Sequence, residues 1–271
     1  MQTNDLERIA RQIRRRDLRA VFEAGAGHIG GEMSVTDILT ALYFRVLRVS
    51  PDAPKDPNRD RFVLSKGHTA CVLYVTLARR GFIPEEEVET FLKPHSRLNG
   101  HPNCNKVPGV ETNTGPLGHG LPVAVGMAKS AKLQGADWHT YVVTGDGEMQ
   151  EGSNWEAIMA AAQFGLDNLT LIIDHNRFQQ GAALADTNDL APLRPKLEAF
   201  GWAVTEIDGN RMDEIVPALE HRAEGRPHCV VAHTNKGQGI SFMQDRVEWH
   251  HKVPNAEQYK LGMAELAEEM E

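Results

Sequence analysis

The chain has 271 residues and is acidic, with 29 Lys and Arg against 37 Asp and Glu and a formal charge of −8, which argues against a nucleic-acid partner. Its three cysteines, Cys71, Cys104 and Cys229, show no paired spacing, as expected for a reducing compartment. No run reaches the ~18 apolar residues of a membrane span and the N-terminus lacks the apolar core of a signal peptide, so a cytoplasmic protein with a substantial core and no membrane partner is expected.

From Asp5 to Phe22, Leu6, Ile9, Ile13, Leu18, Val21 and Phe22 recur at roughly helical spacing, and Arg11, Arg14, Arg15 and Arg16 read as a solvated face. The glycine-rich segment from Gly25 to Gly31 ends this helix and sets His28 in a loop where a ligand can approach the backbone. Ser34 caps a predicted helix over Val35–Leu47, with Asp37 third after it in capping-box fashion. After a proline-containing linker, Ser50 to Arg59, a brief strand over Arg61–Leu64 runs into Ser65-Lys66-Gly67-His68 and a helix ending at Arg80. A strand, a small polar turn and a helix start present backbone donors to phosphate, and Lys66 and His68 add side-chain donors.

Pro84 opens a short helix to about Leu92, and Asn99-Gly100-His101-Pro102-Asn103 forms a turn. Cys104 beside His101 lacks the second ligand pair that a zinc site needs. Thr114 to Gly120 then leads into a helix of small residues, Val123–Leu133, suited to close packing.

The apolar run Tyr141–Thr144 breaks into Gly145-Asp146-Gly147-Glu148, a helix follows from Gly152 to Phe164, and a second apolar run, Leu169–Ile173, ends at Asp174-His175-Asn176-Arg177-Phe178. This is a βαβ pattern, and in parallel sheets ligands sit beyond the carboxyl ends of the strands, where Asp146 and Asn176 fall. Asp146 offers an anionic oxygen, Asn176 a carboxamide oxygen and the backbone near Phe178 a carbonyl, a set suited to Mg2+, while Gly145 and Gly147 let the backbone approach a bulky anion. Beyond a polar loop to Asp186 come a helix over Leu190–Phe200, a strand through Val204–Ile207, a helix to about His221 and a strand over His228–His233. The alternation predicts an α/β fold of three αβα layers around a mainly parallel central sheet, with one domain over 1–253 and a helical tail over 254–271.

Gly-Asp-Gly followed by the post-strand Asn176 resembles the thiamine diphosphate-binding motif, and Glu148-Met149-Gln150-Glu151-Gly152 resembles the transketolase family. The likeness runs from Gly25 to His250 and takes in the glycine-histidine loop at His28, Ser65–His68, Gly100-His101-Pro102, Gly115-Pro116-Leu117-Gly118 and Thr234–Gly239. It implies a three-layer thiamine diphosphate-binding fold in which Asp146, Asn176 and the Phe178 carbonyl hold the metal that carries the diphosphate. That metal is Mg2+, with Ca2+ or Mn2+ as alternatives at an all-oxygen site. It further implies that His28 is a substrate and proton-transfer residue, that His68 contacts the diphosphate and lines the substrate channel, and that His101 lies over the substrate. By the same likeness Gly115 and Leu117 flank the central ring and thiazolium, Glu151 links two cofactors at a subunit interface, and His250 contacts the diphosphate on the catalytic side. Two positions depart from the pattern: His119 stands where relatives commonly have glutamine, and His251 where they carry glycine.

Full-length members have a second domain, whose glutamate activates the ring, and a third domain; no residue here can be assigned the glutamate's role. The resemblance therefore implies a naturally split transketolase, active only with a C-terminal partner subunit that carries the pyrimidine-binding domain. The orderly ending after Pro254 favours a natural subunit over a fragment, and an α2β2 heterotetramer with cofactors at its interfaces is expected. The expected reaction is transfer of a two-carbon ketol unit from a ketose phosphate to an aldose phosphate. Alternatives are a related ketol transferase on an unusual or sulfonated sugar, the subfamily that makes deoxyxylulose phosphate from pyruvate with a normally unsplit chain, or a non-catalytic scaffold retaining the fold.

Overall fold

The computed structural model of the chain describes residues 1–267. Strands β1 (Arg61–Leu64), β2 (Thr140–Gly145), β3 (Leu169–His175), β4 (Ala203–Asp208) and β5 (His228–His233) form one sheet in the order β1-β2-β3-β5-β4, every pairing parallel. The inner strands are continuous apolar runs because both faces of the sheet are covered. Side chains alternate between the faces: Phe62, Leu64, Tyr141, Val143, Ile172 and Val230 enter one core, and Val63, Val142, Leu171, Ile173 and Val231 the other. Helices α1 (Thr3–Ala24), α2 (Ile29–Ala41), α3 (Ala70–Arg80) and α7 (Met212–Glu220) close the first core; α4 (Gly120–Gln134), α5 (Gly152–Gln163) and α6 (Leu193–Ala199) close the second. The three αβα layers are those expected. Gly145 pairs with Asp174 in register, so the chain segments carrying Asp146 and Asn176 leave the sheet side by side.

Several local expectations are corrected by tertiary packing. α1 ends at Gly25 in a left-handed conformation (φ 68°), but the glycine-rich segment beyond it is only briefly a loop, because α2 starts at Ile29 and includes Gly30 and Gly31. Gly30 is needed there for space: a Cβ at that position would lie 2.7 Å from the Trp249 carbonyl oxygen. Ser34 is consequently inside α2 rather than at its start, and its hydroxyl donates to the Gly31 carbonyl at 3.1 Å and to Asp174 Oδ2 at 2.7 Å. Arg14 does not belong to a solvated face. It is buried and forks onto Asp37 at 2.9 and 2.6 Å, with further bonds to the Met33 carbonyl, so that it pins α1 to α2.

Other bounds shift modestly: α4 starts at Gly120, α6 is confined to Leu193–Ala199, and the segment after Pro84 is a 3-10 turn over Glu85–Thr90. The C-terminal helix α8 (Ala256–Glu265) opens with a capping box at Asn255 and docks on α1, where Tyr259 stacks on Phe22 with ring centroids 4.2 Å apart. The part of the expected tail over 268–271 lies outside the described residues.

Between α1, α2 and α3 the fold buries two carboxyl groups, Asp17 and Glu32, near the Cys71 thiol. Burial pushes Asp17 up to about 7, with Cys71 and Arg14 pulling back, and burial together with the Asp17 charge holds Glu32 well above the usual range. An acid whose folded-state pKa is raised stabilises the fold fully below its unfolded pKa and loses that contribution as pH rises through the folded value. The contribution of this pair to stability is therefore expected to fall between about pH 4 and pH 7. Glu32→Gln should melt at a higher temperature than the parent at pH 8, with the difference shrinking toward pH 5, as followed by circular dichroism.

Candidate active site at the carboxyl edge of the sheet

The carboxyl ends of β1, β2, β3 and β5 open onto a cleft of about 630 Å³. Its architecture rests on two buried carboxylates. Asp174, at the end of β3, is fully buried and accepts hydrogen bonds from four places: the Lys66 ammonium, the Ser34 hydroxyl at 2.7 Å, the Thr234 hydroxyl and the Asn176 amide at 3.3 Å. Burial alone would raise its pKa, but Lys66 and the hydroxyls more than offset this and hold the carboxyl below its ordinary value. Glu148 does the corresponding work on the other side. One of its carboxylate oxygens accepts from the Ser65 hydroxyl and from the Gly118 amide at 3.0 Å, and the other from the Gly145 amide at 3.1 Å. Gly120 allows this close approach, since a Cβ there would lie 2.4 Å from that of Ser65.

Asp146 sits just beyond β2, buried, with its carboxyl accepting from the Gly147 amide at 2.8 Å and from the Arg177 amide. Burial and the nearby Asp174 charge push its pKa up to about 7, so a carboxylate here calls for a cation beside it. Asn176 Oδ1 and the Phe178 carbonyl supply neutral oxygens; the former accepts from the Phe178 amide at 3.2 Å, and the latter faces the Lys236 ammonium at 3.5 Å. Among the described residues no group of three or more His, Cys, Asp or Glu could hold a metal ion. A divalent ion at this edge would thus depend on the mixed oxygen set of one carboxylate, one carboxamide and one backbone carbonyl, which suits a hard cation that keeps other positions for phosphate and water. Space beside the backbone is present as well: a Cβ at Gly145 would meet nothing within 4 Å.

Opposite this edge stand the histidines. His28, at the start of α2, has its ring centroid 5.0 Å from His68, 5.6 Å from His250 and 4.6 Å from His251. Burial lowers His28 to about 4, helped by His251 and His101; burial and Lys66 lower His68 to about 2; burial and Lys236 lower His250 to about 3. All three are neutral at pH 7 and can donate at one ring nitrogen while accepting at the other. The positive charge at this end belongs to Lys236, which is buried, donates to His250 Nδ1 at 3.1 Å and is lowered to about 8 by burial and the neighbouring Lys66 charge.

The cleft brings together His28, His68, Gly115, Leu117, Gly145, Asp146, Gly147, Glu151, Asn176, Phe178 and His250. His101 stands beside it rather than in its wall, against Gly115: a Cβ on that glycine would lie 3.1 Å from the imidazole. His119 turns away, its Nδ1 hydrogen donating to the Leu117 carbonyl at 3.0 Å. Glu151 is exposed in the single chain, at the mouth of the cleft. Lys66 is a brace rather than a free donor, because its ammonium is taken by Asp174 and the Gly31 carbonyl. Sequence reasoning passed over Asp174, Glu148, Lys236 and Ser34 as parts of the site. An acid ending an otherwise apolar strand was the available signal for Asp174; the others are defined by partners remote in sequence.

Residues 6–265 match the family model described as the thiamine diphosphate-binding domain of transketolase. The chain is 47% identical over 273 residues to an apulose-4-phosphate transketolase subunit of Phocaeicola vulgatus, covering 100% of this chain and 97% of that protein. It is 40% identical to the 6-deoxy-6-sulfo-D-fructose transketolase subunit SqwG of a Clostridium species, covering 98% and 97%. Its structure superposes on the crystal structure of transketolase from Campylobacter jejuni with a TM-score of 0.92 at 30% identity; 98% of this chain is covered but only 43% of the solved one.

If the Asp174 carboxylate organises this edge, Asp174→Ala should destabilise the chain by about 3 kcal/mol or more, since it leaves the Lys66 ammonium buried and unpaired. Urea denaturation checks this; a midpoint equal to that of the parent would exclude the bracing role.

Proposed function

Because the chain belongs to the transketolase family, as its N-terminal thiamine diphosphate-binding domain, we propose that it is the N-terminal half of a split transketolase whose sugar lies outside the common ketose phosphates. It is an enzyme subunit of thiamine diphosphate-dependent two-carbon transfer, which sets aside the scaffold alternative. The expectation of an ordinary ketose phosphate and aldose phosphate gives way to the unusual-sugar alternative. The observation that carries this is near full-length similarity to subunits named for apulose 4-phosphate and for a sulfonated fructose.

In this reading Asp146, Asn176 and the Phe178 carbonyl hold Mg2+, and Gly145, Gly147, His68, Lys236 and His250 surround the diphosphate. Gly115 and Leu117 lie beside the rings of the cofactor. When bound, thiamine diphosphate supplies a nucleophilic carbon that carries the two-carbon unit. The chain's own part is orientation and proton movement. His28, neutral at pH 7, accepts a proton from a sugar hydroxyl, and His101, next to Gly115, holds a further hydroxyl. The partner chain supplies the pyrimidine-binding domain with its activating glutamate and covers the mouth where Leu117 and Glu151 are exposed, within an α2β2 assembly.

Calorimetric titration of thiamine diphosphate and Mg2+ should show weak binding to the chain alone and tight binding with the partner chain present. Asp146→Ala should weaken binding about 100-fold or more, in line with loss of a metal ligand and the contacts around it. Binding by Asp146→Ala equal to that of the parent would remove the metal assignment. In a sugar panel, apulose 4-phosphate and sulfonated ketoses should be turned over in preference to the common ketose phosphates. His28→Ala should lower kcat by about 10²-fold to 10⁴-fold while leaving cofactor affinity near that of the parent.

A further inference from the structure

The imidazole of His251 is the one histidine ring of the cleft wall that is exposed, whereas His28, His68 and His250 are partly sunk in it. Its centroid lies 4.6 Å from that of His28, with the planes inclined at 52°. His250 Nδ1 is engaged by Lys236, yet His251 has no hydrogen bond or ion pair with any described residue. The backbone that presents it is nonetheless firmly held. Trp249, two residues before, is buried with its indole donating to the Phe242 carbonyl at 3.0 Å; Lys252, just after, pairs with Glu248 at 3.0 Å and lies 4.6 Å above the Trp249 ring. A fixed backbone thus offers a ring with both nitrogens uncommitted, at the mouth of a cleft whose inner imidazoles are close by.

Resting on the function proposed above, we infer that His251 is a specificity residue. It hydrogen-bonds an oxygen at the distal end of the sugar, the end bearing phosphate or sulfonate, while His28 serves the end that reacts. The reacting end must lie deepest, so the distal end reaches the mouth, where His251 stands.

The test uses the chain assembled with its partner chain, thiamine diphosphate and Mg2+, with apulose 4-phosphate, 6-deoxy-6-sulfofructose and unphosphorylated apulose as sugars. His251→Ala should raise KM for the phosphorylated or sulfonated sugar that the parent prefers about fivefold to tenfold, with kcat within about twofold, as loss of one hydrogen bond to bound sugar predicts. The preference over the unphosphorylated sugar should narrow, and His251→Asn should recover part of it. Which of phosphate and sulfonate loses more identifies the group contacted. A purely structural role would instead lower the melting temperature and affect all sugars alike, and unchanged KM and preference in both variants overturns the inference. A second readout is independent of turnover: in enzyme labelled with 13C at histidine Cε1, the resonance absent from His251→Ala should shift on addition of apulose 4-phosphate or 6-deoxy-6-sulfofructose. If the parent turns over none of the sugars, the functional reading fails on its own, and an unmoved His251 resonance still counts against this inference.

Discussion

A single buried carboxylate holds the working edge of this chain together. Asp174 gathers α2 through Ser34, the turn after β1 through Lys66, the loop after β5 through Thr234 and its own neighbour Asn176. Such a group is costly to bury unless it is fully paired, and here it is paired on several sides at once. What it secures is relative position: elements far apart in the chain meet at one carboxyl group, and the cleft lies between them. Glu148 repeats the device nearer α4 by tying Gly145, Gly118 and Ser65.

The charges around the cleft are arranged with economy. The three inner imidazoles are kept neutral by burial, so they offer hydrogen bonds and proton acceptance without competing for the role of cation. Lys66 is neutralised by Asp174, which leaves Lys236 as the buried ammonium directed at the Phe178 carbonyl and His250. Asp146, raised by burial and by Asp174, is the carboxyl group left wanting a counter-ion. A divalent cation and a diphosphate, entering together, would answer both needs, which is the physical support for the cofactor assignment proposed here.

Much of the fold was legible from the sequence because a parallel sheet covered on both faces writes itself as short apolar runs, and β1 and β5 were bounded correctly on that signal alone. Asp146 and Asn176 were legible because the ligand side of such a sheet is fixed by strand direction. The errors share a cause. Gly30 and Gly31 look like loop residues by propensity but lie in α2, where the glycine at position 30 leaves room for the Trp249 carbonyl; Ser34 looks like a cap but answers to Asp174, 140 residues away; Arg14 looks solvated but answers to Asp37, 23 residues away. Local pattern carries no trace of partners at that separation. The sugar was illegible for a related reason, since discrimination between similar polyols rests on small differences in free energy that local sequence pattern does not record.

The strand order has a consequence for synthesis. β5 lies between β3 and β4 although it is made after both, so the sheet cannot close until residue 233 has been added, and β4 has no neighbour in the sheet before then. Thr234, Lys236 and His250 follow later still, and with them one of the bonds that neutralise Asp174. A nascent chain interrupted before β5 therefore exposes the edge of β3 and buries Asp174 incompletely, the kind of unpaired strand that invites aggregation or chaperone capture. The cleft is complete only once His250 has joined the folded sheet, which makes ligand-binding competence a report on how far synthesis has run.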